Sequence, residues 1–291
     1  MSDKKSWEET IKYIRTQPEY QELVEKAYFE EDLHLNVERF RKGEEFAETL
    51  NIVKQFQPNA QTMLDIGSGN GISAVTFALA GYTVTTVEPD ASETIGAGAI
   101  RKLKEYYSLD NLTIHEAFAE EINFSDNSFD IVYARQCMHH AYDLPKFVGE
   151  ACRVLKKGGL LLTVRDHVVF NKKDKEWFLE RHPLHKFYGG ENAFTLSQYT
   201  DAFQQAGLCI DKVLKHFDSV INYYPLTQQQ RQNLVGKEEK KIKNKLKHTL
   251  GTVGKIPLTY WLYKKIKYDP QDVINEMNVP GRLYSFICRK V

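Results

Sequence analysis

A glycine-rich run behind an apolar segment is the first feature of this sequence that could do chemistry. Residues 64–71 read LDIGSGNG and stand between a short strand pattern and a helical pattern. Glycines there let the backbone fold tightly and approach a ligand, and the following helix offers free N–H groups. Glu88 ends the next apolar segment, where its carboxylate could accept hydrogen bonds from two ribose hydroxyls. Together these features predict a site for an adenosine-containing cofactor.

The spacing of the glycines narrows the choice of cofactor. A dinucleotide site prefers G-x-G-x-x-G, whereas this run is G-x-G-x-G with Ile72 in the place of the third glycine. The Gly-Lys-Ser/Thr of a P-loop is absent from the run. Asp65 precedes the turn, where a carboxylate disfavours a pyrophosphate and favours a cation. S-adenosylmethionine carries a sulfonium and an ammonium group and no phosphate, so it fits best. A tight turn without a ligand is the alternative, and Glu88 argues against it.

Histidines follow the carboxyl ends of two predicted strands and provide candidate bases. Methyl transfer from a sulfonium requires alignment of donor and acceptor, and it needs a base only if the acceptor must lose a proton. His139 and His140 come directly after the strand at 129–134, and His167 ends the next strand. We expect these side chains to face the pocket, with His140 and His167 as the candidate bases.

A metal site is the sharper alternative for the same region. Asp166, His167, His182, His185 and Glu191 are all of ligand type. Pro183 separates the two loop histidines, so their helical projection is not assured. The four cysteines form no CxxC pair, which argues against a zinc cluster or a disulfide scaffold. We assign no metal at this stage, and the alternative stays open.

The elements that position these residues indicate an α/β fold. Strand patterns alternate with helical patterns from residue 62 to 166, which predicts a doubly wound, mainly parallel sheet with helices on both faces. Such a sheet binds its ligands at the carboxyl ends of its strands. The predicted organisation is an N-terminal helical cap at 1–57, a cofactor-binding core at 58–216, a basic helical insertion at 217–280 and a final core strand at 281–291.

Four segments of the sequence resemble the class I S-adenosylmethionine-dependent methyltransferases of the broad small-molecule type. They are LDIGSGNG (64–71), VEPD (87–90), AEEINFSDNSFDIVYA (119–134) and RVLKKGGLLLTV (153–164). The resemblance covers roughly residues 60–170 and resumes at 283–288. It implies a seven-stranded Rossmann-like sheet and S-adenosylmethionine as the cofactor, and it is a poor guide to the methyl acceptor.

The resemblance also implies which residues contact the cofactor. They are Asp65, Gly67, Gly69 and Gly71 at the methionine end, Glu88 at the ribose, Pro89, Ala119 and Glu120 around the adenine, and the main chain of Ala134 and Arg135 at the ammonium group. One position departs from the family pattern. Phe118 stands where the family often has an acid, so adenine is expected to rest against an aromatic face.

The run at 133–140 resembles the corresponding stretch of phosphoethanolamine methyltransferases. In that group the histidine matching His140 works with a tyrosine of an N-terminal helix, for which Tyr28 is the candidate here. Gln136 replaces an acid of that group, which favours a neutral or anionic acceptor over a cationic amine. We therefore expect Tyr28, Gln136, His139 and His185 to contact the substrate.

Charge is balanced over the whole chain but not along it. The 39 Lys and Arg residues match 39 Asp and Glu residues, which argues against a uniformly basic nucleic-acid binder. Residues 231–267 nevertheless hold eleven Lys or Arg against two acids. Three interpretations remain: a solvated helical face, a surface for anionic lipid or a lipid-linked glycan assisted by the aromatic cluster at 260–263, or a nucleic-acid surface.

These observations predict an S-adenosylmethionine-dependent methyltransferase that acts on a hydroxyl of a small molecule or glycan. An RNA-modifying methyltransferase and a non-catalytic S-adenosylmethionine-binding protein are the alternatives. Residues 1–15 show no apolar signal-peptide core, and no apolar run approaches the roughly 18 residues needed to span a bilayer. We therefore expect a cytoplasmic protein.

Overall fold

The computed structural model describes residues 4–266, 270–275 and 281–291. Within them, four α-helices precede the first strand: α1 (Trp7–Arg15), α2 (Gln21–Lys26), α3 (Leu33–Lys42) and α4 (Glu44–Phe56). They occupy the segment predicted as an N-terminal helical cap at 1–57. A 3-10 turn at Pro18–Tyr20 and an extended residue at Gly43 divide the helical pattern into shorter pieces.

The first half of the sheet alternates strands with helices, as predicted. Its elements are β1 (Thr62–Ile66), α5 (Ile72–Leu79), β2 (Thr83–Val87), α6 (Ala97–Tyr107), β3 (Leu112–His115), β4 (Phe129–Arg135), α7 (Leu144–Val154) and β5 (Leu155–Val169). Asp143 caps α7, since its side chain accepts a hydrogen bond from the main-chain N–H of Lys146. The helix ends at Val154, and Gly158 and Gly159 lie inside β5.

The second half adds more helices and the last strands. Its elements are α8 (Lys172–Arg181), α9 (His185–Tyr188), β6 (Phe194–Thr195), α10 (Leu196–Gln205), β7 (Leu208–Leu214), α11 (Val220–Tyr223), α12 (Gln228–Leu250), α13 (Pro257–Ile266), α14 (Pro270–Asn275) and β8 (Leu283–Lys290). Strand β8 lies within the final core strand predicted at 281–291. Lys267, the end of the basic segment, lies outside the described residues.

The strands form one sheet in the order β3-β2-β1-β4-β5-β8-β7, and the short β6 pairs with β5. The neighbours from β3 to β5 are all parallel, whereas β8 is antiparallel to both β5 and β7. This confirms the doubly wound, mainly parallel sheet. Because the parallel strands end at one edge, the residues that follow β1, β2, β4 and β5 converge there.

Both faces of the sheet are covered by helices, which makes its strands nearly continuous in apolar residues. Met63 and Ile131 belong to a buried cluster with side chains of α3, α4 and α5. Their neighbours Leu64 and Val132 point to the opposite face, into a cluster with side chains of α7 and α10.

The basic segment folds mainly as α12 and α13. Helix α12 has 23 residues, and Ile242 and Leu246 are its buried side chains. Its lysines point largely to solvent. Among the described residues, no helix has both the length and the apolar character that crossing a membrane requires.

Candidate active site

The glycine turn after β1 is built so that its backbone forms one wall of a cavity. Gly67 has φ +67°, and a Cβ added there would lie 2.1 Å from Sγ of Cys137. Gly71 has φ +86° and is the N-cap residue of α5, with no room for a Cβ beside Ile100. Side chains other than hydrogen at these positions would therefore require both a left-handed backbone and displaced neighbours. Gly67 and Gly69 line the cavity.

Asp65 lies beneath this turn rather than on the cavity wall. Its side chain is fully buried, and Oδ2 accepts hydrogen bonds from the hydroxyls of Ser68 and Ser73, the latter at 2.6 Å. Burial raises the pKa of Asp65 to about 6. Asp65 therefore stabilises the conformation of the turn. The turn separates its carboxylate from the cavity, so its negative charge acts on a ligand only across the turn.

Glu88 lies at the cavity wall directly after β2. One carboxylate oxygen accepts the main-chain N–H of Gly69 at 2.7 Å, and the other accepts that of Asp90 at 3.0 Å. Only 7% of its surface is exposed, and this burial raises the pKa of Glu88 to about 7. Each carboxylate oxygen has further lone pairs, so the group can accept two more hydrogen bonds from a vicinal diol.

One end of the cavity is lined largely by apolar and aromatic side chains. Pro89, Ala119, Phe118 and Tyr142 line it, and the rings of Phe118 and Tyr142 meet edge to face with centroids 6.0 Å apart. Glu120 also lines the cavity, and its carboxylate accepts the main-chain N–H of Tyr142 at 2.9 Å. A planar base could rest here against aromatic and aliphatic surfaces, which agrees with the expectation for Phe118.

Arg135, at the end of β4, is neutralised by a buried acid. Its guanidinium binds both carboxylate oxygens of Glu45, at 2.7 and 3.2 Å, and donates to the amide oxygen of Gln136 at 3.0 Å. Glu45 is fully buried, and burial tends to raise its pKa, but Arg135 and Arg165 outweigh this and hold the pKa below its ordinary value. The guanidinium of Arg135 thus binds groups of the protein itself.

The opposite end of the cavity is a chamber enclosed by segments far apart in sequence. Trp7 of α1, Phe29, His140 and Tyr188 of α9 all line it. The rings of Trp7 and Tyr188 pack against each other with centroids 4.7 Å apart, so α1 and α9 close this end together. The cavity as a whole has a volume of about 470 Å³, within the usual range for a small-molecule site. We call this end the acceptor chamber.

His140 and Gln136 are the predicted polar residues that line the acceptor chamber. His140 is exposed, and its Nδ1 lies 3.2 Å from the carbonyl oxygen of Gly190. Gln136 has φ +49°, and its main-chain N–H donates to Val164 on β5. The structure thus brings these two together beside the glycine turn.

Among the described residues that line the cavity, the other predicted histidines are absent. His139 and His167 are buried behind His140, with the His139 ring 4.2 Å from that of His140 and 4.7 Å from that of His167. Burial lowers the pKa values of His139 and His167 well below the ordinary imidazole value. His185 is likewise absent from the described wall. The predicted roles of these residues as base or substrate contacts do not follow from their positions.

Tyr28 is not at the cavity wall either. Its ring is fully buried, edge to face with Phe40, and the guanidinium of Arg135 lies 5.5 Å from the ring centroid. Tyr28 is therefore a residue of the hydrophobic core. The aromatic residues of the acceptor chamber, Trp7, Phe29 and Tyr188, were missed by the sequence analysis. The loop HPLHKFYGGEN, with its aromatic pair before two glycines, was the available signal for Tyr188.

The charges of the described wall suit a cation better than a phosphate. Glu88 and Glu120 line the wall, while the positive charge of Arg135 is compensated by Glu45. A turn whose glycines expose the backbone, a carboxylate for a diol, and apolar surfaces for a base match the three parts of S-adenosylmethionine. The residues present therefore fit this cofactor.

Comparisons with known proteins agree with this geometry. Residues 64–163 match the family described as "Methyltransferase domain". The chain is 34% identical over 143 residues to the uncharacterized methyltransferase YcgJ of Bacillus subtilis, covering 45% of this chain and 52% of that protein. It is 36% identical over 124 residues to a ubiquinone biosynthesis O-methyltransferase of Bradyrhizobium, covering 42% of this chain and 44% of that protein. The chain thus spans about half the length of these curated relatives.

Solved structures share the fold of nearly the whole chain. The geranyl diphosphate C-methyltransferase of Streptomyces coelicolor, solved with Mg²⁺, geranyl diphosphate and S-adenosyl-L-homocysteine, has a TM-score of 0.56 and 14% identity, covering 95% of this chain and 86% of that one. This neighbour supports the fold, and the sheet order, the glycine turn and the family match together show that residues 64–163 belong to a class I S-adenosylmethionine-dependent methyltransferase domain, with S-adenosylmethionine as its cofactor.

Proposed function

We propose that this protein transfers a methyl group from S-adenosylmethionine to a hydroxyl of a small molecule or glycan. The observation that carries the proposal is the continuous cavity between the glycine turn and the acceptor chamber. A cofactor whose ribose is held at Glu88 and whose methionine end follows the turn would direct its methyl group toward His140. Donor and acceptor would then be held in one enclosed space, which is the main requirement for methyl transfer.

His140 is the base that this proposal assigns. A carbonyl oxygen can only accept a hydrogen bond, so the contact with Gly190 requires a proton on Nδ1 of His140. In the neutral imidazole, Nε2 is then the nitrogen with a free lone pair. That nitrogen can take the proton of an acceptor hydroxyl as the methyl group is transferred.

The composition of the acceptor chamber supports an uncharged acceptor. Its aromatic walls are formed by Trp7, Phe29 and Tyr188, and Gln136 provides an amide where a carboxylate would suit a cationic amine. An apolar or ring-containing molecule with a hydroxyl fits these surfaces. The name of the Bradyrhizobium relative, an O-methyltransferase, supports the same choice.

The experiment that tests the proposal follows a labelled methyl group. Purified protein and S-adenosylmethionine with a tritiated methyl group are incubated with a cell extract, and the product is separated into small-molecule, glycan and RNA fractions. We expect label in a small-molecule or glycan product as a methyl ether. The matched control is His140→Ala, which should bind S-adenosylhomocysteine normally and transfer far less label.

Other outcomes would contradict the proposal and distinguish its alternatives. Label that disappears with ribonuclease would favour RNA modification. Cofactor binding by calorimetry, without transfer to any fraction, would favour a non-catalytic binding protein. Equal transfer by wild type and His140→Ala would leave the methyltransferase activity standing but refute the base.

We further propose that helices α12 and α13 contact anionic membranes or a lipid-linked acceptor. Lysines of α12 point to solvent, and Leu258, Trp261 and Leu262 of α13 are each more than 40% exposed. Co-sedimentation with phosphatidylserine vesicles should occur at low salt and fall steeply as salt rises. Glutamine at Lys240 and Lys245 should weaken it, whereas glutamine at Lys54 on α4 should not. Absence of co-sedimentation at low salt would refute this contact.

A further inference from the structure

A buried group of ligand-type side chains lies directly behind the acceptor chamber. It consists of His139 after β4, His167 on β5 and Glu191 after α9, which we call the histidine cluster. Each of the three residues is at least nine-tenths buried. The cluster adjoins the chamber because His140 and Gly190, the chain neighbours of two of its members, line the cavity.

The ligand atoms of the cluster converge. One nitrogen from each histidine and one carboxylate oxygen lie within 4.8 Å of one another. Nε2 of His139 is 3.8 Å from Oε2 of Glu191. Ligands bound to a tetrahedral zinc ion at about 2.0–2.1 Å lie roughly 3.4 Å apart. The observed spacing is thus close to that of a coordination sphere and needs only small side-chain rotations.

Hydrogen bonds orient the cluster from outside. Oδ1 of Asp166 lies 3.0 Å from Nδ1 of His139 and also accepts that residue's main-chain N–H at 3.1 Å. Because Nδ1 of His139 contacts Asp166, Nε2 is the ring nitrogen that faces Glu191. The hydroxyl of Tyr188 donates to Oε1 of Glu191, which leaves Oε2 for the cluster. A metal-bound histidine commonly donates the ring N–H that faces away from the metal to a carboxylate, and Asp166 has this position beside His139.

Polar atoms in and beside the cluster lack partners in the described part of the protein. Oε2 of Glu191 and, outside the cluster, Nδ1 of the neighbouring His182 are buried and make no hydrogen bond there. An unpaired buried polar atom costs roughly 1–3 kcal/mol, and more when it is charged. A cation between Glu191 and the histidines would satisfy the carboxylate.

We propose that His139, His167 and Glu191 bind one divalent transition-metal ion, with Asp166 as a positioning residue for His139. Two imidazoles and a carboxylate favour Zn²⁺ or Fe²⁺ over Mg²⁺, which prefers oxygen ligands. Three protein ligands leave a coordination position for a water molecule or, after a side-chain rotation, for His182. Nε2 of His182 lies 3.6 Å from Oε1 of Glu191, the carboxylate oxygen that Tyr188 also contacts. The ion would fasten the segment after α9, which encloses the acceptor chamber, to the edge of the sheet.

The test measures metal content and not methyl transfer, so it stands apart from the proposed function. Protein stripped with a chelator is titrated with Zn²⁺ and, separately, with Co²⁺, whose visible absorption reports its ligands. We expect one equivalent of either ion to bind and to raise the melting temperature. Glu191→Gln and His167→Ala should abolish stoichiometric binding, and Asp166→Asn should weaken it by about 10–100-fold.

Controls distinguish this site from other binding. Glu180→Gln on the exposed face of α8 should bind the metal as wild type does. The Co²⁺ spectrum should lack thiolate charge-transfer absorption, which keeps the proposal testable in wild-type protein if the variants fail to fold. Less than stoichiometric binding by the wild type, unchanged binding by folded Glu191→Gln, or a thiolate signature would each overturn the site.

Discussion

Replacing Glu88 with alanine is the most direct test of the cofactor site. The wild-type carboxylate already accepts N–H groups from Gly69 and Asp90, at 2.7 and 3.0 Å, and has lone pairs left for two ribose hydroxyls. A hydrogen bond to a charged group contributes roughly 1.5–3 kcal/mol. Loss of one net bond of this kind raises the dissociation constant roughly 10–150-fold. Loosening of the glycine turn acts in the same direction.

The assay is calorimetric titration with S-adenosylhomocysteine at pH 8, where the wild-type carboxylate is ionised. Glu88→Gln keeps the size of the side chain and removes its charge, so its affinity should lie between those of wild type and Glu88→Ala. Glu105→Ala removes an exposed acid of α6 and should bind as wild type does. A folded Glu88→Ala protein with an unchanged dissociation constant would refute the assignment of Glu88 to the ribose.

The pH dependence of binding gives an independent check. Burial raises the pKa of Glu88 to about 7, so below that pH the free protein holds a proton that competes with the ribose hydroxyls. The dissociation constant should therefore rise as pH falls below 7, by up to about tenfold per unit. Glu88→Gln should show no such dependence. A slope that persists in this variant would assign the titration to another group.

Stability should change with pH in the opposite sense. Because the pKa of Glu88 in the folded protein lies above the ordinary glutamate value of 4.5, its favourable contribution is fully present below pH 4.5 and is lost as pH rises through about 7. The shift corresponds to about 3 kcal/mol. Without cofactor, the free energy of unfolding of wild type relative to Glu88→Gln should fall by about this amount between pH 4.5 and 8, as measured by urea titration at each pH.

Three further substitutions test the fold and the chemistry. Glu45→Gln leaves two buried guanidinium groups without their counter-charge and should lower the free energy of unfolding, measured by urea titration, by about 3–5 kcal/mol. Glu44→Gln, at the exposed start of α4, is its control and should change the free energy of unfolding little. His140→Ala should lower turnover by about 10²–10⁴-fold without changing cofactor affinity, and near wild-type turnover would mean that alignment alone suffices. Gly67→Ala should destabilise more than Gly81→Ala, because both have positive φ but only the first meets a neighbouring atom, at 2.1 Å; equal melting temperatures would contradict this.

The cofactor end of the site was predictable from sequence because it depends on local rules. Each parallel strand delivers the residue after its last apolar position to the same edge of the sheet, so LDIGSGNG and Glu88 had to meet once the strand order was fixed. The position of Asp65 beneath the turn could not be predicted from the sequence. Its two hydroxyl donors, Ser68 and Ser73, are three and eight residues away, and only the folded turn directs both toward it.

The acceptor end was not predictable because its residues meet through long-range packing. The helical spacing of α1 indicates that Trp7 faces something apolar, but no local rule states that this is Tyr188, 181 positions later. The histidines show the same limit. His139 and His140 are adjacent, and the 3-10 turn that carries them sends one into the buried cluster and the other to the cavity.

The division between the two ends has a consequence for substrate choice. The residues proposed to contact the cofactor fall within 64–163, the part of the chain that matches the methyltransferase family. Trp7, Phe29, Tyr188 and Gly190 line the acceptor chamber from outside that range. Proteins with the same core can therefore hold the same cofactor while different flanking segments present different acceptors. The identity of the acceptor should accordingly be sought by changing Trp7 and Tyr188, whose replacement should raise the Michaelis constant for the acceptor and leave that for S-adenosylmethionine nearly unchanged.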